Sequence, residues 1–338
     1  MSEAEVTREG SLGQRPGREA SPGSEGGRRR RRGGRRGERA MVPDAEFRSY
    51  YGRPIIKAPT WAATDIAGYL FLGGLAGASS VLAFGAEVTG RPALARAAKA
   101  GALGAISLST AALIHDLGRP ERFVNMLRVA KPTSPMSMGS WILVAYGPAA
   151  GLAAVTDATG LFRRIGRAAT GWTALTGPAV VSYTSVLIAD TAVPAWHEAY
   201  RELPFVFAGS GAAAAAGLGL VAAPVRETAP ARGAAVFGAV LDVAATRLLE
   251  RRLGPIAEPY RTGRGGRLMR AAQALTVAGA AGAAVFAGRS RAAAALCGGA
   301  LLAGSACTRF GIFEAGRASA EDPRYTVMVQ RGRREPSG

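Results

Sequence analysis

HDLGRPERFVNMLRVAKPTSPMSMGSW, residues 115–141, decides how the rest of the chain reads. It sets a histidine, an aspartate and four basic residues, Arg119, Arg122, Arg128 and Lys131, between two long apolar runs. The run before it, residues 93–114, has the length and composition of a membrane helix, and so has the run after it, residues 138–155. His115 and Asp116 are therefore expected at a hydrocarbon boundary. Partial desolvation there moves pKa values, and an ionisable side chain needs a partner or a task.

Outward from that link, the chain from Trp61 onward is a succession of apolar runs joined by short polar, Pro-containing or Arg-containing links. Eight runs approach the roughly twenty residues that cross a bilayer. They are residues 61–88, 93–115, 138–156, 170–193, 203–222, 233–249, 268–287 and 292–312. Asp242 and Arg247 interrupt the sixth, whose periodicity also suits an amphipathic helix lying on the membrane. Small residues crowd the runs, as in GYLFLGGLAGASS (68–80) and GSGAAAAAGLGL (209–220), and small side chains let membrane helices approach closely. A soluble Ala-rich helical protein would carry charge every turn on its outer face, and residues 203–223 carry none. The expected fold is an all-α polytopic membrane protein of eight transmembrane helices.

The composition looks contradictory until the chain is divided. Of 338 residues 48% are hydrophobic, yet Lys and Arg number 42 against 24 Asp and Glu, a formal charge of +18. These figures average over two unlike regions, because the chain opens on a low-complexity stretch that buries too little surface to offset ordering entropy. Residues 1–45 are read as a disordered basic tail, 46–60 as a membrane-interface lead-in, 61–200 and 201–315 as two successive four-helix regions, and 316–338 as a C-terminal tail. The arginine block at residues 28–32 lacks interleaved aromatics, which favours a solvated or lipid-attracted tail, so no nucleic-acid partner is expected. The first forty residues hold no apolar run that would serve as a signal peptide, so the first span is expected to act as the insertion signal. Basic residues in the links nearly balance between the two sides, and the basic ends tip both termini to the cytoplasm of a bacterial plasma membrane.

Only Cys297 and Cys307 are present, ten residues apart and so about 15 Å apart on a helix, with no CxxC spacing. Any iron–sulfur or zinc centre would therefore have to belong to a partner, and no metal site is expected here. Only His115 and His197 occur, too few for a pair of b-type haems.

YYGRPIIKAPTW (50–61), GYLFLGGLAG, the 115–141 link, and YTSVLIADTAVPAW (183–196) with LPFVFAGS after it together resemble the NrfD-type membrane subunit of polysulfide-reductase-like oxidoreductases. The likeness runs from about Tyr50 to Ser210. It implies two helix bundles and a membrane anchor that binds quinone or menaquinone. It further implies electron exchange with a ferredoxin-like iron–sulfur subunit, often joined by a molybdopterin catalytic subunit. On this resemblance Asp65, Tyr69, His115 and Tyr183 are quinone-binding candidates, and Asp65 stands where some relatives use histidine or another polar residue.

The residues' own chemistry agrees. Quinone reduction takes two electrons and two protons, so a site needs an apolar slot, polar groups at the ring oxygens and a proton route. His115 and Asp116 supply a hydrogen-bond donor and a proton acceptor, the catalytic pair on this reading. Each residue has a plainer reading: Asp116 latched by Arg119 and Arg122, Asp65 a helix cap, and Tyr183 packed against a neighbouring carbonyl. Trp196 suits an aromatic belt, and Asp190, Asp242 and Arg247 either pair or form part of a proton path. A secondary transporter is the rival class, expected to show inverted repeats and broken helices, and a structural anchor without quinone chemistry is the third.

Overall fold

The computed structural model describes residues 5–7, 10–12, 55–57, 59, 61–117, 119 and 121–334. In the N-terminal tail, β1 (Glu5–Thr7) pairs antiparallel with β2 (Gly10–Leu12). The rest of that tail, most of the 46–60 lead-in, and Gly118 and Pro120 of the 115–141 link lie outside the described residues. Residues 54–338 form one compact unit, and it is helical.

In chain order its helices are α1 (Ala63–Val88), α2 (Pro92–Asp116), α3 (Glu121–Met126), α4 (Pro135–Thr159), α5 (Arg163–Ala189), α6 (Pro194–Glu198), α7 (Leu203–Ala222), α8 (Ala229–Leu253), α9 (Glu258–Arg261), α10 (Gly263–Val285), α11 (Arg291–Glu321) and α12 (Pro323–Arg334). Local sequence explains many ends. Pro92 and Pro135 open α2 and α4, where a missing N–H costs nothing. The Ser134 and Ser290 hydroxyls accept from the backbone N–H groups of Ser137 and Ala293. Gly160, at φ 72°, closes α4 in the left-handed conformation that glycine adopts without strain.

Seven helices, α1, α2, α4, α5, α7, α10 and α11, are long and apolar enough to cross a membrane. The expected sixth run is a long helix, α8, but it falls short because Arg232, Asp242, Arg247, Glu250, Arg251 and Arg252 lower its hydropathy. Its charges are not evenly placed. Asp242 points inward at 4% exposure, whereas Val236, Phe237 and Val240 are among its outward residues. Exposed Phe84, Leu108, Leu175 and Leu296 give other helices the same apolar exterior, which suits hydrocarbon.

Packing follows the small residues. α1 packs on α2 and α5, α2 on α4, and α4 on α5, while α7, α8, α10 and α11 close a second ring of contacts. α1 also meets α7 and α11, which joins the two rings. A Cβ on Gly77 would stand 2.4 Å from the Gly177 carbonyl oxygen, and one on Gly177 equally close to that of Gly77. At this crossing α1 and α5 meet backbone to backbone. Gly77→Val is expected to cost about 2 kcal/mol or more by overpacking, read as a lower thermal midpoint of the purified protein in detergent. An unchanged midpoint would show that the crossing yields.

The spans are continuous helices although α4 and α5 contain Pro148 and Pro178, whereas a transporter bundle would be expected to break helices at midplane. α11, at 31 residues, is about 46 Å long and so outruns a hydrocarbon core of about 30 Å. Its extension carries Phe313 and Gly316, against which Trp196 packs. Trp196 is thus fully buried instead of forming an aromatic belt. It stacks on Trp61 with ring centroids 6.1 Å apart and donates its indole N–H to the Ile312 carbonyl. A ring of that area gains more from burial than from the interface once a neighbour offers both an aromatic face and a carbonyl.

Candidate functional site

The first turns of α1 meet the last turn of α2 and the second half of α5. Asp65 lies in the first turn of α1, where unpaired helix N–H groups favour a carboxylate. Its Oδ2 stands 2.9 Å from Nδ1 of His115, in the last turn of α2. One turn further along α1, the buried Tyr69 hydroxyl bonds the hydroxyl of Tyr183 on α5. Residues 65 and 69 share a face at i and i+4 spacing, so one face of α1 makes both polar contacts.

The two pairs differ in access to water. The His115 side chain is 80% exposed and Asp65 24%, whereas Tyr69 and Tyr183 are 2% and 8% exposed. Together they run from the aqueous end of the bundle to its interior. An ionised Asp65 accepts only, so Nδ1 of His115 carries the proton between them and Nε2 is the nitrogen left for exchange. The two tyrosine hydroxyls own two protons and their contact uses one, so one O–H remains for a third acceptor.

Asp116, adjacent to His115 in sequence, turns elsewhere: its carboxylate reaches the Ala62 backbone at the head of α1 and feels the charges of Asp65 and His115. Among the described residues neither Arg119 nor Arg122 bridges it, and Arg122 instead donates to the Leu117 carbonyl. The plainer reading of Asp116, a latch to both arginines, is not formed among these residues.

Tyr183 also lines a cavity of about 410 Å³ between α4, α5 and α6, with Pro135, Met138 and Val186 as apolar wall and Asp190 and His197 as polar neighbours. Its size suits a small-molecule headgroup. The Tyr183 ring sits there because Gly139 has no side chain: a Cβ would come within 2.5 Å of Tyr183 Cε2. Gly139 lies in the quoted 115–141 stretch, but nothing in its spacing marks it as the seat of an aromatic ring. His197 donates from Nδ1 to the Ala189 carbonyl, which fixes its ring at the cavity edge.

Of the other charges noted in the sequence, Asp190 and Arg247 are exposed, and Asp242 is buried opposite Arg309. Sequence reasoning passed over Arg309, although it is the one charged residue within the run 292–312. Among the described residues no group of three or more His, Cys, Asp or Glu could hold a metal ion.

No curated protein matches the chain. The family model described as polysulphide reductase, NrfD, matches residues 58–233, just over half of the 338 residues. That span takes in α1 to α7 and with them both polar pairs and the cavity. The chain therefore belongs to the polysulphide reductase NrfD family, and with its seven apolar helices it is an integral membrane subunit of a respiratory oxidoreductase.

Proposed function

We propose that this subunit binds a quinone where α1, α4 and α5 meet, and exchanges electrons between it and an iron–sulfur subunit docked on the face that carries the 115–141 link. The observation that supports this most is the double pairing along α1, Asp65 with His115 and Tyr69 with Tyr183, beside an apolar cavity. The residues fit such a ligand: Met138 and Val186 offer a ring slot, and Tyr183 offers the hydroxyl. A bound quinone supplies two-electron, two-proton redox chemistry. The chain's own residues handle the protons.

Tyr183 orients a ring oxygen with its hydroxyl, and Tyr69 holds that hydroxyl in place. His115, fixed by Asp65, takes up or releases a proton at Nε2 on the water side, and Asp116 is a second carboxylate beside it. Arg119, Arg122, Arg128 and Lys131 form the basic rim for the partner, with a molybdopterin subunit beyond the iron–sulfur subunit. In this reading α8 is the eighth span, its one mid-helix acid being internal, and the two contact rings are two four-helix bundles. An even number of spans puts both termini on one side, the cytoplasmic side of a bacterial plasma membrane by the basic ends.

The test uses the purified complex. Isoprenoid quinone should co-extract with it, and Tyr183→Phe should weaken quinone binding about tenfold by removing one hydrogen bond from a buried site. Gly139→Ala, which displaces the same ring, should reproduce that loss. Full quinone content and unaltered binding in both variants would leave a structural anchor as the better reading.

A further inference from the structure

We propose that the opposite end of the bundle is a binding site for an anionic phospholipid, held by its phosphate. A cleft of about 490 Å³ opens there between α1, α2, α4 and α5. It lies at the C-terminus of α1 and the N-terminus of α2, a full helix length from Asp65 and His115.

Its floor is a closed ion-pair network. Lys99, only 6% exposed, holds Glu87 Oε2 at 3.0 Å and Asp157 Oδ1 at 3.2 Å. Arg96 reaches Asp157 at 3.1 Å, and Arg167 reaches Glu87 at 3.7 Å. Both carboxylates are thereby engaged. Two further cations on the wall have no carboxylate: Arg91 donates to the Thr89 carbonyl, and Arg163 has no acidic partner among the described residues. Five cations against two carboxylates leave the cleft with an excess of three positive charges.

Helix ends add to this. The α2 N-terminus is already satisfied, since Glu227 Oε2 accepts from the Ala93 and Leu94 N–H groups. α5 begins at Arg163, on the cleft wall, with no side-chain cap and no acidic residue in its first turn.

The mouth distinguishes a lipid from a free anion. Leu161 and Phe162 stand beside Arg163 at 61% and 71% exposure, and Val88 and Val155 are 69% and 55% exposed on the flanking helices. Phe162 is the one described non-glycine residue at positive φ, 52°, a strained conformation that turns its ring outward. Inorganic phosphate has no use for an apolar lip. A phospholipid seats its phosphate among the arginines and lays its acyl chains along the α1 and α4 exterior.

The full chain, purified in detergent and delipidated, is titrated with phosphatidylglycerol or phosphatidylcholine and read by native mass spectrometry. Phosphatidylglycerol should bind more tightly than phosphatidylcholine. Arg91→Gln with Arg163→Gln should weaken it roughly thirtyfold, whereas Arg226→Gln with Arg289→Gln should not. Leu161→Ser with Phe162→Ser should weaken the lipid as well. The proposal is overturned if the two lipids bind alike, if the Arg91 and Arg163 changes leave binding intact, or if inorganic phosphate alone binds as tightly as the lipid.

Discussion

Quinol-linked electron transfer by the Asp65→Asn protein is expected to fall about 10²-fold, the low end of what one positioned acid–base group contributes. The substitution keeps the shape of the side chain and removes its charge. Asparagine no longer dictates which nitrogen of His115 holds the proton, and no longer stabilises the imidazolium. The His115 partner is 80% exposed, so the pair is open to water on one side and its contribution to stability is about 1 kcal/mol or less. Rate and stability should therefore separate: steady-state quinol oxidation by the complex drops while its thermal midpoint holds. His115→Gln should match it, and the double variant should be little slower than either single one, because the two side chains act as one unit. Rates within twofold of the parent protein in all three would reduce the pair to an interfacial ion pair.

Arg309→Leu is expected to destabilise the membrane unit by about 3–5 kcal/mol. Arg309 is fully buried in α11, its guanidinium 3.6 Å from the centre of the Phe207 ring and donating to the Phe207 carbonyl at 2.8 Å. Asp242 on α8 faces it, with the hydroxyls of Thr246 and Thr308 as further partners. α1 makes room with a glycine: a Cβ on Gly74 would meet Nη2 at 2.8 Å. Removing the cation strands a carboxylate in an apolar interior. Removing both charges does not, so Arg309→Leu combined with Asp242→Asn should recover most of the loss. Unfolding in mixed micelles measures both. Equal stability of the single and double variants would mean that Asp242 does not depend on Arg309.

Much of the helical layout was legible because hydropathy reports local composition. α1, α2, α4, α5, α7, α10 and α11 each correspond to an expected run, and the family likeness rested on stretches that overlap residues 58–233. α8 was the ambiguous run, and it remains the helix whose apolarity falls short, since hydropathy averages its charged residues with the exposed Val236, Phe237 and Val240. Trp196 was misjudged because amphipathic aromatics suit both belts and cores, and only the Trp61 ring and the Ile312 carbonyl decide between them.

Within the candidate site, the sequence identified Asp65, Tyr69, His115, Asp116 and Tyr183 as residue types suited to proton and quinone chemistry. It did not pair them. Asp65 meets His115 across 50 residues and Tyr69 meets Tyr183 across 114, separations over which no periodicity carries information. The buried Lys99 with its two carboxylates, and Arg309 opposite Asp242, were hidden for the same reason.

By itself the sequence determined that the chain enters a membrane and where its helices run, because each apolar segment must satisfy its own backbone in lipid whatever surrounds it. The tertiary structure alone decided which polar side chains face one another. Helix contacts are set by where glycine lets backbones close, at Gly77 and Gly177 for one pair, and that choice is a property of two distant segments together.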